Sequence, residues 1–496
     1  MTRLAGKLSS AAAALLAAGI VLFAVGGKLG LVHGYGGDQP YADQWAGEGA
    51  TLFRARLYGR LHLENFFMPH GEHHPALTRV LAYGLFLADD RQWDDRVELV
   101  ANLVVYAAYL GFVAWMTARV AGGWWRVAAA LAAAVLFALP ANRENFLWGF
   151  QSQFLFLLLC GFAHVAGTLR APRLGWRWAG AQCAGLAGLF SIAAGASSAV
   201  LLAGWAAWQI ARGRRTPRAW ATLAVNVALT AAGLWLLTGH VGPSASRAAS
   251  IGDWISASGY LLGWPMAGPW WAVLGYLPLA ATAAWALRRS QPDPAAELLL
   301  AVGGWVVLII SAIAFGRGAH PSEIAVRYFD IALLGVYVNG LALMRLVAGA
   351  PRLGRQLAGG LAVAWIVAVG SSLYGMNRPA EVGPQLATHR EGAERQAAAI
   401  GRLMRTRDPA ALSADPSVRA RFPHLQLAVD LLLDPGMRPC LAPSLTADGR
   451  AGPLSRFAPR IAAGWWLLMA AGGLCLATGA AACRLASAAS AGANSC

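Results

Sequence analysis

The sequence predicts an all-α polytopic membrane protein with about 12 transmembrane helices. Hydrophobic residues make up 57% of its 496 residues and charged residues only 13%, a composition typical of chains that face lipid. Apolar segments of roughly 20 residues, the length that spans a bilayer, recur along the chain. Arginines recur in the short loops between these segments, which is the positive-inside pattern of cytoplasmic loops.

The first apolar segment follows two basic residues and is expected to be a retained signal anchor with its N-terminus in the cytoplasm. The formal net charge of +16 comes largely from the arginines of the loops expected inside. We therefore attribute this charge to membrane topology and expect no nucleic-acid partner. The predicted spans cover residues 9–30, 97–118, 126–140, 152–169, 179–194, 196–211, 219–238, 270–287, 297–315, 329–345, 357–375 and 462–483.

The loops expected outside the cytoplasm are longer and mix acids, histidines, arginines and aromatic residues. The first, about 31–96, predicts one or two interfacial amphipathic helices. The last, 376–461, predicts a small extracytoplasmic cap over the membrane part. The chain is thus divided into a transmembrane module at 1–375, the cap at 376–461, and a last transmembrane helix with a cytoplasmic tail at 462–496.

The stretch YADQW at 41–45 places Asp43 directly after the first span. Its carboxylate would serve either as a helix N-cap or as a general base at the membrane surface. Asp38 and Glu48 are competing acids in the same loop. Trp45 is expected to anchor the loop at the membrane interface.

The stretch PHGEHHP at 69–75 contains His70, Glu72, His73 and His74. Their spacing matches no compact zinc pattern, although a divalent metal site stays open as an alternative. We expect Glu72 and His73 to shape the rim of a substrate pocket. No cofactor is firmly predicted.

Two later outside loops carry further candidate binding residues. In RENFLWGFQSQF, amides, an acid and an aromatic ring either cap helix ends or bind sugar hydroxyls and ring faces. In FGRGAHPSEIAVRY, arginines either snorkel to the interface or bind phosphate through paired hydrogen bonds. The candidate residues of these two loops are Glu144, Asn145, Trp148, Gln151, Arg317, Arg327 and Tyr328.

The order of these stretches resembles that of bacterial membrane proteins in the GT-C glycosyltransferase superfamily. That family has NEHR-like, WENxxWGFQ-like and GR…SRY-like motifs where this chain has GEHHP, RENFLWGFQ and GRGAHPSEIAVRY. The resemblance covers about residues 12–375. His74 stands where the family has arginine, and Arg143 where it has tryptophan, so the roles of these two positions do not carry over.

The resemblance implies an inverting glycosyltransferase in the bacterial inner membrane. Such an enzyme moves a sugar from a polyprenyl-phosphate donor to a glycan or lipid acceptor on the extracytoplasmic face. Asp43 matches the acid that the superfamily uses as its catalytic group. Arg317 and Arg327 would then stabilise the leaving phosphate.

Two other classes of function stay open on the sequence. A transporter or flippase of a lipid-linked sugar or another anion would also suit twelve spans, but it should place polar residues at mid-membrane in broken helices. The polar residues His164, Asn226 and Asn339 are isolated within their spans. A non-enzymatic assembly partner would need no cluster of acids and arginines.

Overall fold

The structure is a computed structural model that describes residues 2–238, 246–289, 293–323, 325–445 and 450–494. Helices dominate this part of the chain. Its principal helices are α1 (Thr2–Tyr35), α2 (Ala76–Ala88), α3 (Asp95–Val120), α4 (Gly123–Ala138), α5 (Ser152–Arg170), α6 (Trp176–Gly188), α7 (Ser197–Ala211), α8 (Pro217–Leu237), α9 (Ile251–Gly263), α10 (Trp271–Leu287), α11 (Pro294–Arg317), α12 (Phe329–Gly349), α13 (Arg352–Asn377), α14 (Pro379–Thr406), α15 (Leu425–Leu433), α16 (Pro453–Ala463) and α17 (Trp465–Asn494).

Short helices join these elements at the end of the bundle that carries the candidate site. They comprise a π-helix at Trp45–Arg54, α-helical turns at Ala55–Leu57, Glu64–Phe67, Ala410–Ser413 and Pro416–Arg419, and 3-10 helices at Pro140–Phe146, Gly149–Gln151, Ala193–Ala196, Val326–Tyr328, Arg438–Cys440 and Pro443–Leu445.

Eight helical stretches of the described chain are long and apolar enough to cross a membrane. A ninth is added if α4 and the 3-10 helix after it, which are bent by 54°, count as one span. The structure therefore supports a multi-pass helical membrane protein, but helix length identifies eight or nine spans rather than about twelve. The remaining predicted segments fold as the shorter helices α6, α7 and α10, because glycine-rich turns and loops interrupt them.

The arginine-rich loops gather at one end of the bundle, which we call the arginine end. The guanidinium groups of Arg119 and Arg170 lie 5.9 Å and 5.5 Å from the ring centre of Trp115. Arg218 donates a hydrogen bond to the backbone oxygen of Thr168. Helix α5 runs from this end to the loop that contains Gln151. The loops predicted to lie outside therefore meet at the opposite end, which we call the site end.

The first and last spans pack closely because glycines face each other between them. A Cβ atom at Gly472 would lie 2.5 Å from the backbone nitrogen of Phe23, and one at Gly26 would lie 2.8 Å from that of Met469. Small residues let helix backbones approach in lipid. This pairing brings the C-terminal region next to the first loop.

The predicted cap is packed against the first loop by a shared apolar core. Trp45, Phe53 and Trp93 of the loop are buried together with Phe422 and Leu431 of the cap. The backbone N–H of Trp93 donates to the carbonyl of Cys440 at 2.6 Å. The described cap residues therefore form part of the site end rather than a separate body.

A buried polar network joins α1, the 3-10 helix Pro140–Phe146 and α12. Lys28 of α1, which is fully buried, donates to the carbonyl of Leu139 and to the side chain of Asn142. Asn142 and Asn145 each donate to one oxygen of the buried Asp330, Asn145 at 2.7 Å. Charged groups inside a membrane span are costly unless they are paired in this way.

This network predicts strong energetic coupling between Lys28 and Asp330. We expect Lys28→Met and Asp330→Asn each to lower the free energy of unfolding by about 3–5 kcal/mol, because each removes one of two opposite buried charges that Asn142 connects. The double variant should lose less than the sum of the two. Thermal and denaturant unfolding of the detergent-solubilised protein measures this cycle, and simple additivity would contradict the prediction.

Candidate functional site

A cavity of about 450 Å³ opens at the site end. Its wall combines the first loop, the loop before α5, the loop before α12 and the cap. The predicted site residues that line it are Asp43, Glu72, His73, Trp148, Gln151, Arg317, Arg327 and Tyr328. Glu144 and Asn145, the other two predicted residues, lie behind this wall and contact Arg327.

Asp43 lies just before the π-helix Trp45–Arg54, and 34% of its side chain is exposed. Oδ1 of Asp43 lies 3.6 Å from Nε2 of His70. Burial by itself would raise the pKa of Asp43, but the neighbouring His70 and the positive charge of Arg327 outweigh it, so the pKa is lowered. Asp43 is therefore an ionised carboxylate at neutral pH with access to the cavity.

The cap fixes the backbone that carries Asp43. The preceding residue, Ala42, has a φ of 48°, a left-handed conformation that costs energy for a residue with a side chain. Its N–H donates to the carbonyl of Arg421 at 3.3 Å. The guanidinium of Arg421 lies 4.2 Å from the ring centre of Tyr41. These contacts from a distant part of the chain stabilise a conformation that the loop would not favour alone.

Two further hydrogen bonds hold the start of the same loop to the cap. Gln396 donates to the carbonyl of Pro40 at 2.8 Å. Ser444 donates from its hydroxyl to Asp38 at 2.7 Å. Asp38 thus binds a cap residue and does not line the cavity, which separates it from Asp43.

The expectation that Trp45 anchors the loop at the membrane interface is wrong. Its side chain is 1% exposed, and its ring centre lies 5.2 Å from that of Trp93 and 5.6 Å from that of Phe422. The amphipathic loop folds inward because the cap covers its apolar face. Trp45 therefore belongs to the shared core of the loop and the cap.

Glu48, the other competing acid, belongs to a buried cluster of carboxylates. Nε2 of Gln44 lies 3.2 Å from Glu48, 2.8 Å from Asp95 and 3.1 Å from Glu98. Burial raises the pKa of Glu48 to about 7, although hydrogen bonds from Gln44 and Trp93 oppose the effect. Sequence reasoning missed this cluster; its one signal is a pair of acids at the start of an apolar span.

The residues of PHGEHHP face different neighbours. His70 faces Asp43, and Glu72 forms an ion pair with Arg317. The ring nitrogens of His74 lie 2.9 Å from the carbonyl of Phe67 and 3.1 Å from that of Leu236, so this side chain connects the first loop to the end of α8. Within the described ranges, no group of three His, Cys, Asp or Glu residues is arranged to hold a metal ion.

His73 accepts a hydrogen bond at Nδ1 from the backbone N–H of Ala193 at 3.1 Å. Burial lowers the pKa of His73 to about 4; the negative charge of Glu72 opposes this and the positive charge of Arg317 adds to it. A neutral ring that accepts at Nδ1 carries its proton on Nε2. Nε2 lies 3.8 Å from Glu72, so His73 presents a donor to this part of the rim.

Each arginine of the site is held by a carboxylate. Arg317 pairs with Glu72 and donates to the hydroxyl of Ser246 at 2.8 Å. Arg327 pairs with Glu144 at 2.8 Å. Asn145, which was predicted to bind substrate, instead donates to the carbonyl of Arg327 at 2.7 Å. Its position therefore fits a residue that orients Arg327.

Two polar atoms on the cavity wall are buried without a hydrogen-bond partner among the described residues. They are the donor Nε1 of Trp148 and the acceptor Oε1 of Gln153. Both atoms are shielded from the open cavity, so it is other atoms of Trp148 and Gln153 that line it. Gln153, His70 and His424 are lining residues outside the predicted set. His424 lies in the cap, and nothing local in the sequence marks it.

A second cavity of about 200 Å³ adjoins the first. It is lined mainly by apolar residues of α8, α11 and the turn before α7, including Leu237, Ile313 and Phe315. Five residues line both cavities: Glu72, His73, Phe154, Arg317 and Tyr328. The site thus places an arginine paired with a glutamate, a histidine and a phenol where the first cavity meets an apolar one.

Comparison of this chain with models of protein families, with curated proteins and with solved structures finds no match.

The buried environment of Glu48 predicts a pH dependence of stability. An acid whose pKa is higher in the folded than in the unfolded protein takes up protons on folding, so stability falls as pH rises from about 4.5 through about 7. We expect the free energy of unfolding to fall by roughly 3 kcal/mol over this range. The charged groups that face Glu48 are Asp95, Glu98 and Arg79.

Unfolding of the detergent-solubilised protein at pH 5 and pH 8 measures this effect. Glu48→Gln should be less sensitive to pH than the wild type. The exposed Glu64 of the same loop provides a matched control, since Glu64→Gln removes a carboxylate that is not buried. An identical pH dependence in Glu48→Gln and the wild type would contradict the prediction.

Proposed function

We propose that the protein is an inverting glycosyltransferase that moves a sugar from a polyprenyl-phosphate donor to an extracytoplasmic glycan or lipid acceptor. The observation that carries the proposal is the junction at Arg317 and Tyr328, where the polar cavity that contains Asp43 meets the apolar cavity. A lipid-phosphate sugar has the same order of parts: a polar sugar, an anionic phosphate and an apolar chain.

In the proposed reaction, a hydroxyl of the acceptor attacks the anomeric carbon of the donor sugar. Asp43 takes the hydroxyl proton as the new C–O bond forms. The bond between the anomeric carbon and the phosphate oxygen breaks, and its electron pair leaves with the lipid phosphate. The intervening transition state resembles an oxocarbenium ion, as in glycoside hydrolysis. The lowered pKa of Asp43 keeps its carboxylate ionised at neutral pH, which is the form that accepts a proton, and it also makes this carboxylate a weaker base than a free aspartate.

The two arginines suit the negative charge that develops on the leaving phosphate. Glu72 and Glu144 orient their guanidinium groups. A guanidinium has five N–H donors, so pairing with a carboxylate leaves donors for a phosphate oxygen. The glutamates also keep the cavity from accumulating excess positive charge when no phosphate is bound. Preorganised donors of this kind stabilise charge without reorganising during the reaction.

Other residues of the cavity wall suit a sugar. Trp148 provides an aromatic surface, and Gln153 provides an amide. Gln151 and His70 also line this part of the cavity. Hydroxyls of a sugar can donate to and accept from such groups. The proposal requires no tightly bound metal or other cofactor.

The proposed location is the bacterial inner membrane, with the site end on the extracytoplasmic side. The arginines at the opposite end support this orientation through the positive-inside rule. Membrane lipids then surround the spans, and the donor enters from the bilayer. The cap contributes His424 to the cavity and would face the side from which a glycan acceptor approaches.

The alternative is a transporter or flippase of a lipid-linked sugar or another anion. The observation that favours it is the buried network of Lys28, Asn142 and Asp330, since charged residues inside spans often mark transport pathways. The network leads to the backbone of Arg327 through Asn145, so it equally fits a structural support for the site. Transfer of a labelled sugar from defined polyprenyl-phosphate donors by the purified protein distinguishes the two functions.

The role of Asp43 predicts that Asp43→Asn reduces the transfer rate by roughly 100-fold to 10,000-fold. Donor binding should change little, because the phosphate is held by the arginines. The controls are Asp38→Asn, which alters the contact with Ser444, and Glu48→Gln, which alters the buried cluster. Near-normal turnover in Asp43→Asn together with loss in either control would move the base to the other acid.

The arginine pair predicts that Arg317→Lys and Arg327→Lys each weaken donor binding by about tenfold, since lysine keeps the charge but loses the planar set of donors. Titration of the purified variants with a polyprenyl-phosphate sugar measures the change. Arg378→Lys is the matched control because Arg378 pairs with Glu381 on an exposed helix face. Unchanged affinity in both site variants would contradict the proposed phosphate contact.

A further inference from the structure

A third cavity, of about 690 Å³, lies at the arginine end between α7, α10 and α11. Its inner walls are apolar and include Val200 and Leu201 of α7 and Leu300 and Leu308 of α11. Small residues leave the space open, among them Gly204. None of the residues that line this cavity belongs to the candidate site.

The length of the cavity matches one leaflet of a bilayer. Its lining on α7 extends from Val200 to Arg212, which corresponds to about 18 Å at about 1.5 Å per residue. One leaflet contributes about half of a hydrocarbon core that is about 30 Å thick. The apolar walls therefore lie at the depth of acyl chains, and the arginines lie at the depth of headgroups.

The mouth of the cavity carries an excess of positive charge. Arg212, Arg214 and Arg289 line it, and none of them takes part in the ion pairs found in the described ranges. Arg212 lies 5.6 Å from the ring centre of Trp208, and Arg289 lies 4.1 Å from that of Trp285. These aromatic contacts orient the guanidinium groups without neutralising them.

Each of the two acids of the cavity has a partner other than these three arginines. Asp293 pairs with Arg345 and accepts hydrogen bonds from the first turn of α11. Glu297 accepts a hydrogen bond from Nε1 of Trp205 at 3.1 Å. The three arginines at the mouth thus remain available for an anionic group.

We propose that this cavity binds an anionic phospholipid of the surrounding leaflet. Its phosphate would lie among Arg212, Arg214 and Arg289, and one acyl chain would lie between α7 and α11. An apolar space inside the bilayer takes up hydrocarbon rather than water, and basic pockets between spans select anionic headgroups. The site is separate from the proposed transfer reaction and does not depend on it.

Native mass spectrometry of the full-length protein in detergent tests the headgroup contact. We expect phosphatidylglycerol to bind more tightly than zwitterionic phosphatidylcholine. In the triple variant Arg212→Gln/Arg214→Gln/Arg289→Gln, phosphatidylglycerol should bind about 100-fold more weakly, since each basic residue contributes a factor of about five. The matched control is Arg173→Gln/Arg177→Gln/Arg355→Gln, which removes three exposed arginines outside the cavity.

A second pair of variants tests the acyl chain. A Cβ at Gly204 would meet no atom within 4 Å, so the side chain of Gly204→Leu starts in open space and adds apolar atoms to the cavity. It should weaken phosphatidylglycerol binding by about tenfold. Gly180→Leu is the control, because Gly180 has the same open surroundings and lies outside the cavity.

Inorganic phosphate at the same concentration should not displace the lipid, because it lacks the chain that fills the cavity. Displacement by free phosphate would overturn the proposal in favour of an anion site. Equal affinity for the two phospholipids, or equal losses in the cavity variants and their controls, would also overturn it.

Discussion

Both carboxylate oxygens of Asp330 accept hydrogen bonds from asparagines of one short 3-10 helix, and the site end depends on this arrangement. Asn142 and Asn145 are the donors, and Lys28 extends the network to the first span. A bilayer offers no water to replace these partners, so the three segments have little freedom to shift against one another. Asn145 also holds the backbone of Arg327. The position of Arg327 at the cavity thus depends on the hydrogen bonds of this network.

The cap fixes the part of the cavity wall that carries Asp43. The backbone of Ala42 is in a conformation that is unfavourable for alanine. Its N–H donates to the carbonyl of Arg421, and the guanidinium of Arg421 lies over the ring of Tyr41. Strain of this kind persists only where the surroundings determine it. The close pairing of the first and last spans explains why the cap can supply these surroundings, since it brings chain segments almost 400 residues apart to the same end of the bundle.

The sequence predicted those features that depend on local composition. Apolar length and arginine placement indicated a helical membrane protein and grouped the loops into two ends. The predicted number of spans is not confirmed, because the region from α6 to α7 forms helices shorter than a full span. Within the site, residue type brought Asp43, Glu72 and Arg317 to attention. The burial of Trp45 and the arrival of His424 could not be foreseen, since both result from contacts between the first loop and the cap.

Asp43 and Glu48 show why residue type alone cannot assign a base. They are five residues apart on one loop, yet the structure lowers the pKa of the first and raises that of the second. Asp43 faces a cavity, a histidine and an arginine, whereas Glu48 shares one amide with two other buried carboxylates. A base for the proposed transfer must be ionised and must reach the acceptor. Asp43 meets both conditions. Glu48 does not line the cavity, and a shared proton in its cluster would relieve the repulsion among its carboxylates. Glu48 therefore suits a structural role beneath the loop, because it lies inside the π-helix and is fully buried, whereas Asp43 precedes that helix and lines the cavity.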